Sequence, residues 1–292
     1  MNGNLGLPRR ISNGLNQRVP PRLLLALVVM GLGLMLDAFW IEPSRLVVNR
    51  QELRLPGWPA PLAGLRVAFL ADLHVGSPHW GIDHLRTLVA RVNEEKPDLI
   101  LLGGDYLIND IAFGTHVPAD RIAIELTQLR APLGVLAVLG NHDWWNDGQR
   151  VRAIFEAHGL TVLDDESRTI EARGSRFCVL GLRDEYFRSR SPAQELSLAP
   201  PGLPLLVVVH EPDIFAELDQ RVSLTLAGHT HGGQVALPLL GRRIVPSRFG
   251  ERYAAGHVVE NGRHLFVTTG IGTSIVPVRF GVPPEFALLT LR

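Results

Sequence analysis

Five apolar runs that end in the same kinds of residue constrain this chain more than any other feature. Leu65–Ala71 leads into Asp72-Leu73-His74, and Asp98–Leu102 into Gly103-Gly104-Asp105. Gly134–Leu139 ends in Gly140-Asn141-His142-Asp143, Pro204–Val209 in His210-Glu211, and Ser223–Ala227 in Gly228-His229-Thr230-His231. Each run is short for a helix and unbroken enough to be a strand buried on both faces. Helical periodicity fills the first gaps. Ile82–Glu95 places Leu85, Leu88, Val89 and Val92 on one face, starting at Asp83 or His84, and Ala119–Leu129 and Gln149–His158 follow. Alternating strands and helices imply βαβ crossovers, an α/β class and a largely parallel first sheet. Later runs, including Arg176–Gly181, His264–Thr268 and Phe286–Leu291, have shorter links and predict a second, more antiparallel sheet.

The polar residues stand where open α/β sheets bind ligands, at the carboxyl ends of strands. Taken singly, an Asp after a strand is a turn or cap residue, and a lone His is a hydrogen-bonded structural one. Five such ends in order are hard to explain as independent turns. Residues i and i+2 of an extended backbone project the same way, so Asp72/His74 and His229/His231 are each expected to grip a common ion. A glycine beside Asp105, Asn141 and His229 allows close backbone approach.

Composition excludes several alternatives. With 29 basic and 29 acidic side chains the net charge is zero, which argues against a general nucleic-acid binder. One cysteine, Cys178, rules out an internal disulfide and a Cys-based zinc site. Eleven histidines remain to be explained.

The zero charge is an average. Residues 1–22 form a basic segment with Arg9, Arg10, Arg18 and Arg22, and no acid precedes Asp37. Leu23–Leu36 is uninterrupted apolar sequence, and continuing through Ile41 gives a helix of about 28 Å, close to the hydrocarbon thickness of a bilayer. No small-x-small cleavage site follows and the segment is apolar all round, so residues 23–41 read as an anchor rather than a signal peptide or a core helix. Arginines before it favour an N-in orientation with the remainder outside the cytoplasm. Residues 42–62 mix charge with Pro and Gly and read as a linker, with an edge strand at Arg45–Asn49; 63–292 would be the folded domain.

The ordered series D-x-H, G-D, G-N-H-D, H and G-H-x-H resembles the calcineurin-like metallophosphoesterase superfamily over residues 63–292. The leading apolar segment and His231-Gly232-Gly233-Gln234 are most similar to its bacterial membrane-associated branch, which includes phosphodiesterases and enzymes acting on a lipid A precursor. The resemblance implies two stacked mixed sheets flanked by helices, a single-pass location at a bacterial inner membrane and a dinuclear site. Asp72, His74 and His231 would bind one metal, Asn141, His210 and His229 the other, and Asp105 would bridge them. Asn141 and His142 would contact substrate, with His142 protonating the leaving group and Asp143 orienting it. Ile108 stands where the family often has an acid.

Two cations about 3.5–4 Å apart neutralise a phosphate ester and make water a usable nucleophile. Mixed nitrogen and oxygen ligands favour Mn²⁺, with Fe or Zn²⁺ next. The expected activity is hydrolysis of a phosphoester, phosphodiester or pyrophosphate bond, of a membrane-associated or lipid-linked substrate. A tethered enzyme with a soluble substrate and an inactive metal-stabilised binding module are the other readings; His142, which binds no metal, speaks against the latter. Asn109-Asp110 and His116 could line the site. Arg242, Arg243, Arg248 and Arg252 would meet phosphates or anionic headgroups, or lie in an ordinary solvated loop. Trp144-Trp145 could wall the cleft, and Cys178 reads as core.

Overall fold

The computed structural model describes residues 20–109 and 111–292. Most of the basic segment, with Arg9, Arg10 and Arg18, lies outside the described residues, as does Asp110. Helix α1 (Pro21–Leu36) forms one unit and Asp37–Arg292 the other. Among the described residues, Pro21–Ser44 is the one helical run long and apolar enough to cross a membrane.

The second unit begins with β1 (Val47–Leu53) and β2 (Leu65–Leu70), followed by α2 (Ile82–Glu94), β3 (Leu99–Gly103), α3 (Ala119–Leu126) and β4 (Val135–Val138). After β4 come the single-turn α4 (Asn141–Trp145), α5 (Gly148–Ala157) and β5 (Thr161–Val162). A second group follows: β6 (Glu166–Ala172), β7 (Ser175–Gly181), β8 (Leu205–Val208), β9 (Val222–Ala227), the small hairpin β10 (Ala236–Leu237) and β11 (Gly241–Arg242), β12 (Gly256–Glu260) and β13 (Arg263–Val267). The chain returns to the first group with β14 (Glu285–Leu291).

Two six-stranded sheets result, in the orders β1-β14-β2-β3-β4-β5 and β12-β13-β9-β8-β7-β6. The first is parallel except where β14 runs against β2. Alternate side chains of each strand serve two layers. Val67, Phe69, Leu101 and Leu136 meet Val179, Leu206, Leu226 and Phe266 between the sheets. Ala68, Leu70, Ile100 and Leu102 pack instead with the apolar faces of α2, α3 and α5. Both faces are covered, which is why these strands read as unbroken apolar runs.

The second sheet corrects the expectation of antiparallel pairing. Its centre, β7-β8-β9-β13, is parallel, and only the outer pairs β6-β7 and β12-β13 are antiparallel. The β8–β9 crossover uses one 3₁₀ turn, Pro212–Ala216, and the β7–β8 crossover a 3₁₀ turn, Glu185–Phe187, and a five-residue helix, Pro192–Leu196, all too short to leave a helical periodicity in the sequence. Strand β6 escaped the sequence reading because its exposed face is polar, with only Ile170 and Ala172 buried. Helix α2 starts at Ile82 behind Gly81, which has no capping side chain, rather than at Asp83 or His84.

The stretch 42–62 contributes to the core. Strand β1 pairs with β14 over its full length. Leu53, Leu55, Trp58 and Leu62 are buried between the sheets, and Trp58 Nε1 donates to Leu62 O at 3.2 Å. A chain starting at residue 63 should therefore be destabilised by more than about 4 kcal/mol relative to one starting at residue 37, at about 1.5–3 kcal/mol per large apolar side chain lost. Urea unfolding of the two truncations measures this, and equal midpoints would show the stretch to be a mere tether.

Candidate metal centre

Strands β2, β3 and β4 are neighbours in one sheet and β8 and β9 in the other, so their carboxyl ends converge on one rim. There the backbone leaves ordinary geometry. Asp72, His74, Asp105, His229 and His231 all have positive φ, between 39° and 68°. A left-handed non-glycine residue costs roughly 1–3 kcal/mol and persists only where its surroundings impose it. The extended-backbone rationale for the two i, i+2 pairs is thus corrected: left-handed turns, and not strand geometry, aim these side chains. The pair His229/His231 also divides, His229 toward Asn141 and His231 toward Asp72 and His74.

Nine sequence-predicted residues meet at this rim. His74 Nε2 lies 3.1 Å from His231 Nε2, and His231 Nε2 lies 3.4 Å from Asp72 Oδ1. On the other side His229 Nδ1 is 3.0 Å from Asn141 Oδ1. Asp105 Oδ2 stands between, 3.5 Å from His74 Nε2 and 3.1 Å from His210 Nε2. Three groupings have donor atoms close enough to share an ion: Asp72/His74/His231, Asp72/Asp105/His210 and His74/Asp105/His142. The last includes His142, so spacing alone does not set it apart from the ligands.

Hydrogen bonds fix how two imidazoles present themselves. The carbonyls of Leu107 and Gly103 can only accept, so His74 Nδ1–H donates to the first at 3.0 Å and His210 Nδ1–H to the second at 2.8 Å. In the neutral form each ring then turns its Nε2 lone pair toward the centre. His210 Nε2 is buried and has no hydrogen-bond partner. Buried acceptors aimed at carboxylates are repulsive until a cation lies between them, and imidazoles anchored through Nδ1 are the usual presentation to a metal. The residues present therefore fit a divalent metal site.

The electrostatics put a proton where that cation would lie: against the cost of burial, Asp105 and Asp72 raise the His210 imidazole well above its usual value. Burial, followed by the His142 charge and against the pull of Asp105, lowers the His74 imidazole to about 4. Burial and then His210 lower His229 to about 3. Burial raises Asp72 to about 7, against the pull of His210. Burial would also raise Asp105, but His210 outweighs it and holds that carboxyl well below the usual range. Buried Arg279, missed in the sequence, stands 3.5 Å behind His231, with its guanidinium on the carbonyls of Thr269, Gly272 and Val282. Its only sequence signal is a basic residue inside an apolar stretch.

Asp143 does not orient His142, contrary to expectation. Its buried carboxylate accepts four backbone N–H bonds, from Asp105 and Gly140 on Oδ2 and from Tyr106 and Leu107 on Oδ1, at 2.8–3.1 Å. The polar atom at His142 Nδ1 is Asn109 Oδ1, at 3.1 Å, which also accepts from Asn146 Nδ2. Glycines permit the crowding. A Cβ on Gly140 would collide with the Asp105 carboxylate, and one on Gly228 would stand 2.5 Å from Asp72 Oδ2.

A cleft of about 730 Å³ opens over these residues, with Asp105, Asn141, His142, His229 and His231 at its base. Its walls include Trp145, Tyr186, Gln234, Ile244 and Ile275. A larger cavity of about 830 Å³, near Lys96, Arg130 and Leu160, holds none of the convergent Asp and His groups. His116 is exposed and outside the cleft, whereas Asn109 lines it. Trp144 packs on Phe187 instead, and Cys178 is buried, as expected. Arg248 and Arg252 are paired with Glu185 and Glu260, which leaves them poorly placed to meet a phosphate.

A model of the calcineurin-like phosphoesterase family matches residues 65–233. The chain belongs to this family. It is 31% identical to the uncharacterized metallophosphoesterase YkuE of Bacillus subtilis over 87% of this chain and 88% of that protein. It is 33% identical to the phosphodiesterase YaeI of Escherichia coli over 86% and 90%. A transmembrane protein with metallophosphoesterase domain from Danio rerio is 28% identical over 82% of this chain and 56% of its own length. The protein is accordingly a metal-dependent phosphoesterase, a hydrolase of phosphate esters.

Asp143→Asn keeps the shape but turns an amide N–H₂ toward backbone donors. It should cost roughly 3 kcal/mol, read by urea unfolding in chelator so that bound metal does not contribute. A change below about 0.5 kcal/mol would show that the four bonds are not a structural clamp.

Proposed function

We propose that this phosphoesterase hydrolyses phosphodiester bonds of a membrane-associated or lipid-linked substrate, tethered by the apolar segment that begins at residue 23, with the folded unit Asp37–Arg292 on the extracytoplasmic side. The reading rests chiefly on the two anchored imidazoles, His74 and His210, whose free Nε2 atoms flank Asp105 in a buried carboxylate cluster. Asp72, His74 and His231 would hold one ion, Asn141, His210 and His229 the second, and Asp105 both, with Mn²⁺ the first candidate. Two such ions supply neutralisation of phosphate charge and ease attack by water.

The protein's own groups then do the following. His142 sits at the cleft floor, partly accessible, with Nε2 4.0 Å from Asp105 Oδ2 and 3.5 Å from Ser274 Oγ. In its protonated form His142 would offer this Nε2–H to a departing ester oxygen. Asn109 Oδ1 accepts from Nδ1 and holds the ring in this orientation. Asp105 Oδ1 accepts from His142 N at 2.9 Å, which locks the bridging carboxylate and the proton donor to each other. Trp145 and Tyr186 narrow the entrance and limit water. The apolar anchor and the name of the Danio rerio relative support a membrane location.

Mn²⁺-loaded enzyme should hydrolyse bis-p-nitrophenyl phosphate faster than p-nitrophenyl phosphate, and EDTA should abolish both activities. His142→Ala should retain two equivalents of metal by elemental analysis while kcat falls about 10²–10⁴-fold. Turnover of neither ester by metal-loaded protein would leave the inactive binding module as the better reading.

Asn109→Asp tests the orientation of the donor. Burial lowers the His142 imidazole, partly opposed by Asp105. A carboxylate on Nδ1 stabilises the protonated ring, so its pKa rises. The alkaline limb of the pH–rate profile should move up by about one unit. A limb that stays in place would separate Asn109 from His142 function.

A further inference from the structure

Apolar side chains unused by the site chemistry gather beside the cleft. The β10–β11 hairpin and its turn present Leu237, Leu239 and Leu240, and Leu239 is fully exposed. Ile244 follows at 81% exposure, and Ile275 on a second loop at 77%. Single apolar residues are ordinary on a protein surface, but a grouped set marks an interaction face. The two loops are tied together: Ala236 N donates to Phe280 O, Phe280 N to Gln234 O, and Gln234 Nε2 to Ser274 O, at 2.8–3.1 Å.

The second loop is also fastened to the first residues of the catalytic unit. Arg279 N donates to Ala38 O at 2.9 Å, and the buried Glu42 carboxylate accepts from Gly281 N at 2.9 Å and from Val282 N. His79 Nε2 lies 2.8 Å from Phe39 O, and Trp40 and Ile41 are exposed nearby. Asp37 follows the last residue of α1 directly. If the apolar segment spans a bilayer, the chain leaves the lipid within about 7 Å of helix from residues bonded to this loop.

We infer that Leu237, Leu239 and Leu240, with Ile244 and Ile275, dip into the surface of the lipid bilayer, so that the cleft opens on the membrane. This rests on the reading of 23–41 as an anchor. The covering partner is lipid because the chain's own exit point is bonded to the same loop. Charge supports it too: Arg243 is exposed beside Ile244 and has no ion pair among the described residues, a suitable neighbour for anionic headgroups. Phosphoesters whose apolar portion stays in the lipid would enter the cleft without being extracted.

The full chain carries a built-in probe strategy, since its one cysteine, Cys178, is buried. Leu239→Cys and, as a control at the opposite strand ends, Glu171→Cys would each take an NBD label. The labelled chains would be reconstituted in vesicles of equal parts phosphatidylglycerol and phosphatidylethanolamine. Docking predicts at least about fivefold stronger quenching by doxyl lipids at 239 than at 171, and protection from aqueous iodide. Equal iodide quenching at both sites overturns it. So does a label at 239 shielded from iodide yet untouched by doxyl lipid, which would mean a second copy covers the hairpin. Carbonate extraction of the same vesicles reads anchoring separately: a chain that resists extraction but keeps 239 in water refutes docking alone. Hydrolysis of bis-p-nitrophenyl phosphate by the Leu239→Cys chain should be unchanged and confirms an intact site.

Discussion

The Asp143 carboxylate is the tie on which the arrangement of this centre depends. Its four N–H donors come from two different strand ends, the turn after β3 and the turn after β4. Burial and Asp105 raise this carboxyl to about 7, and its backbone N–H donors pull the other way by favouring the ionised form; bonds to an ionised acceptor are about twice as strong as neutral ones, and here they replace the pairing that the two strands lose where the sheet ends. With the turns so fastened, Asp105 and His142 keep a fixed separation. Left-handed backbone at Asp105 can then be held in place by its surroundings.

Strain elsewhere on the rim has the same origin. Five non-glycine residues at positive φ form a concentration of unfavourable backbone that no single local interaction would maintain. Two buried layers of aliphatic packing lie beneath them, one between the sheets and one under α2, α3 and α5. The rigidity of that platform lets short turns hold carboxylates and imidazoles closer together than they would stand in water.

Much of this was legible in the sequence, for identifiable reasons. Strands buried on both faces leave unbroken apolar runs, and the residues that close them are chemically conspicuous, so Asp72, Asp105, Asn141 and His210 could be placed at strand ends in advance. Strand β6 could not, because an edge with one wet face carries too few apolar residues. The parallel centre of the second sheet was hidden because the helical pieces in its β7–β8 and β8–β9 crossovers are five residues or shorter. Roles proved harder to read than positions: the neighbour of Asp143 in sequence is His142, but the partners of its carboxylate are backbone amides that leave no mark on residue identity. Arg279 and Asn109 likewise act through contacts made only when distant segments meet.

Strand β14 lies between β1 and β2, although more than two hundred residues separate them from it in the chain. Until residue 291 has emerged during synthesis, β2 has an unpaired edge and the strand that delivers Asp72 is held on one side only. Contacts of such high sequence separation form slowly. The first sheet, and with it the rim that carries Asp72, is therefore completed only once β14 has paired with β1 and β2. A nascent chain of this kind travels with an open edge that needs protection from aggregation.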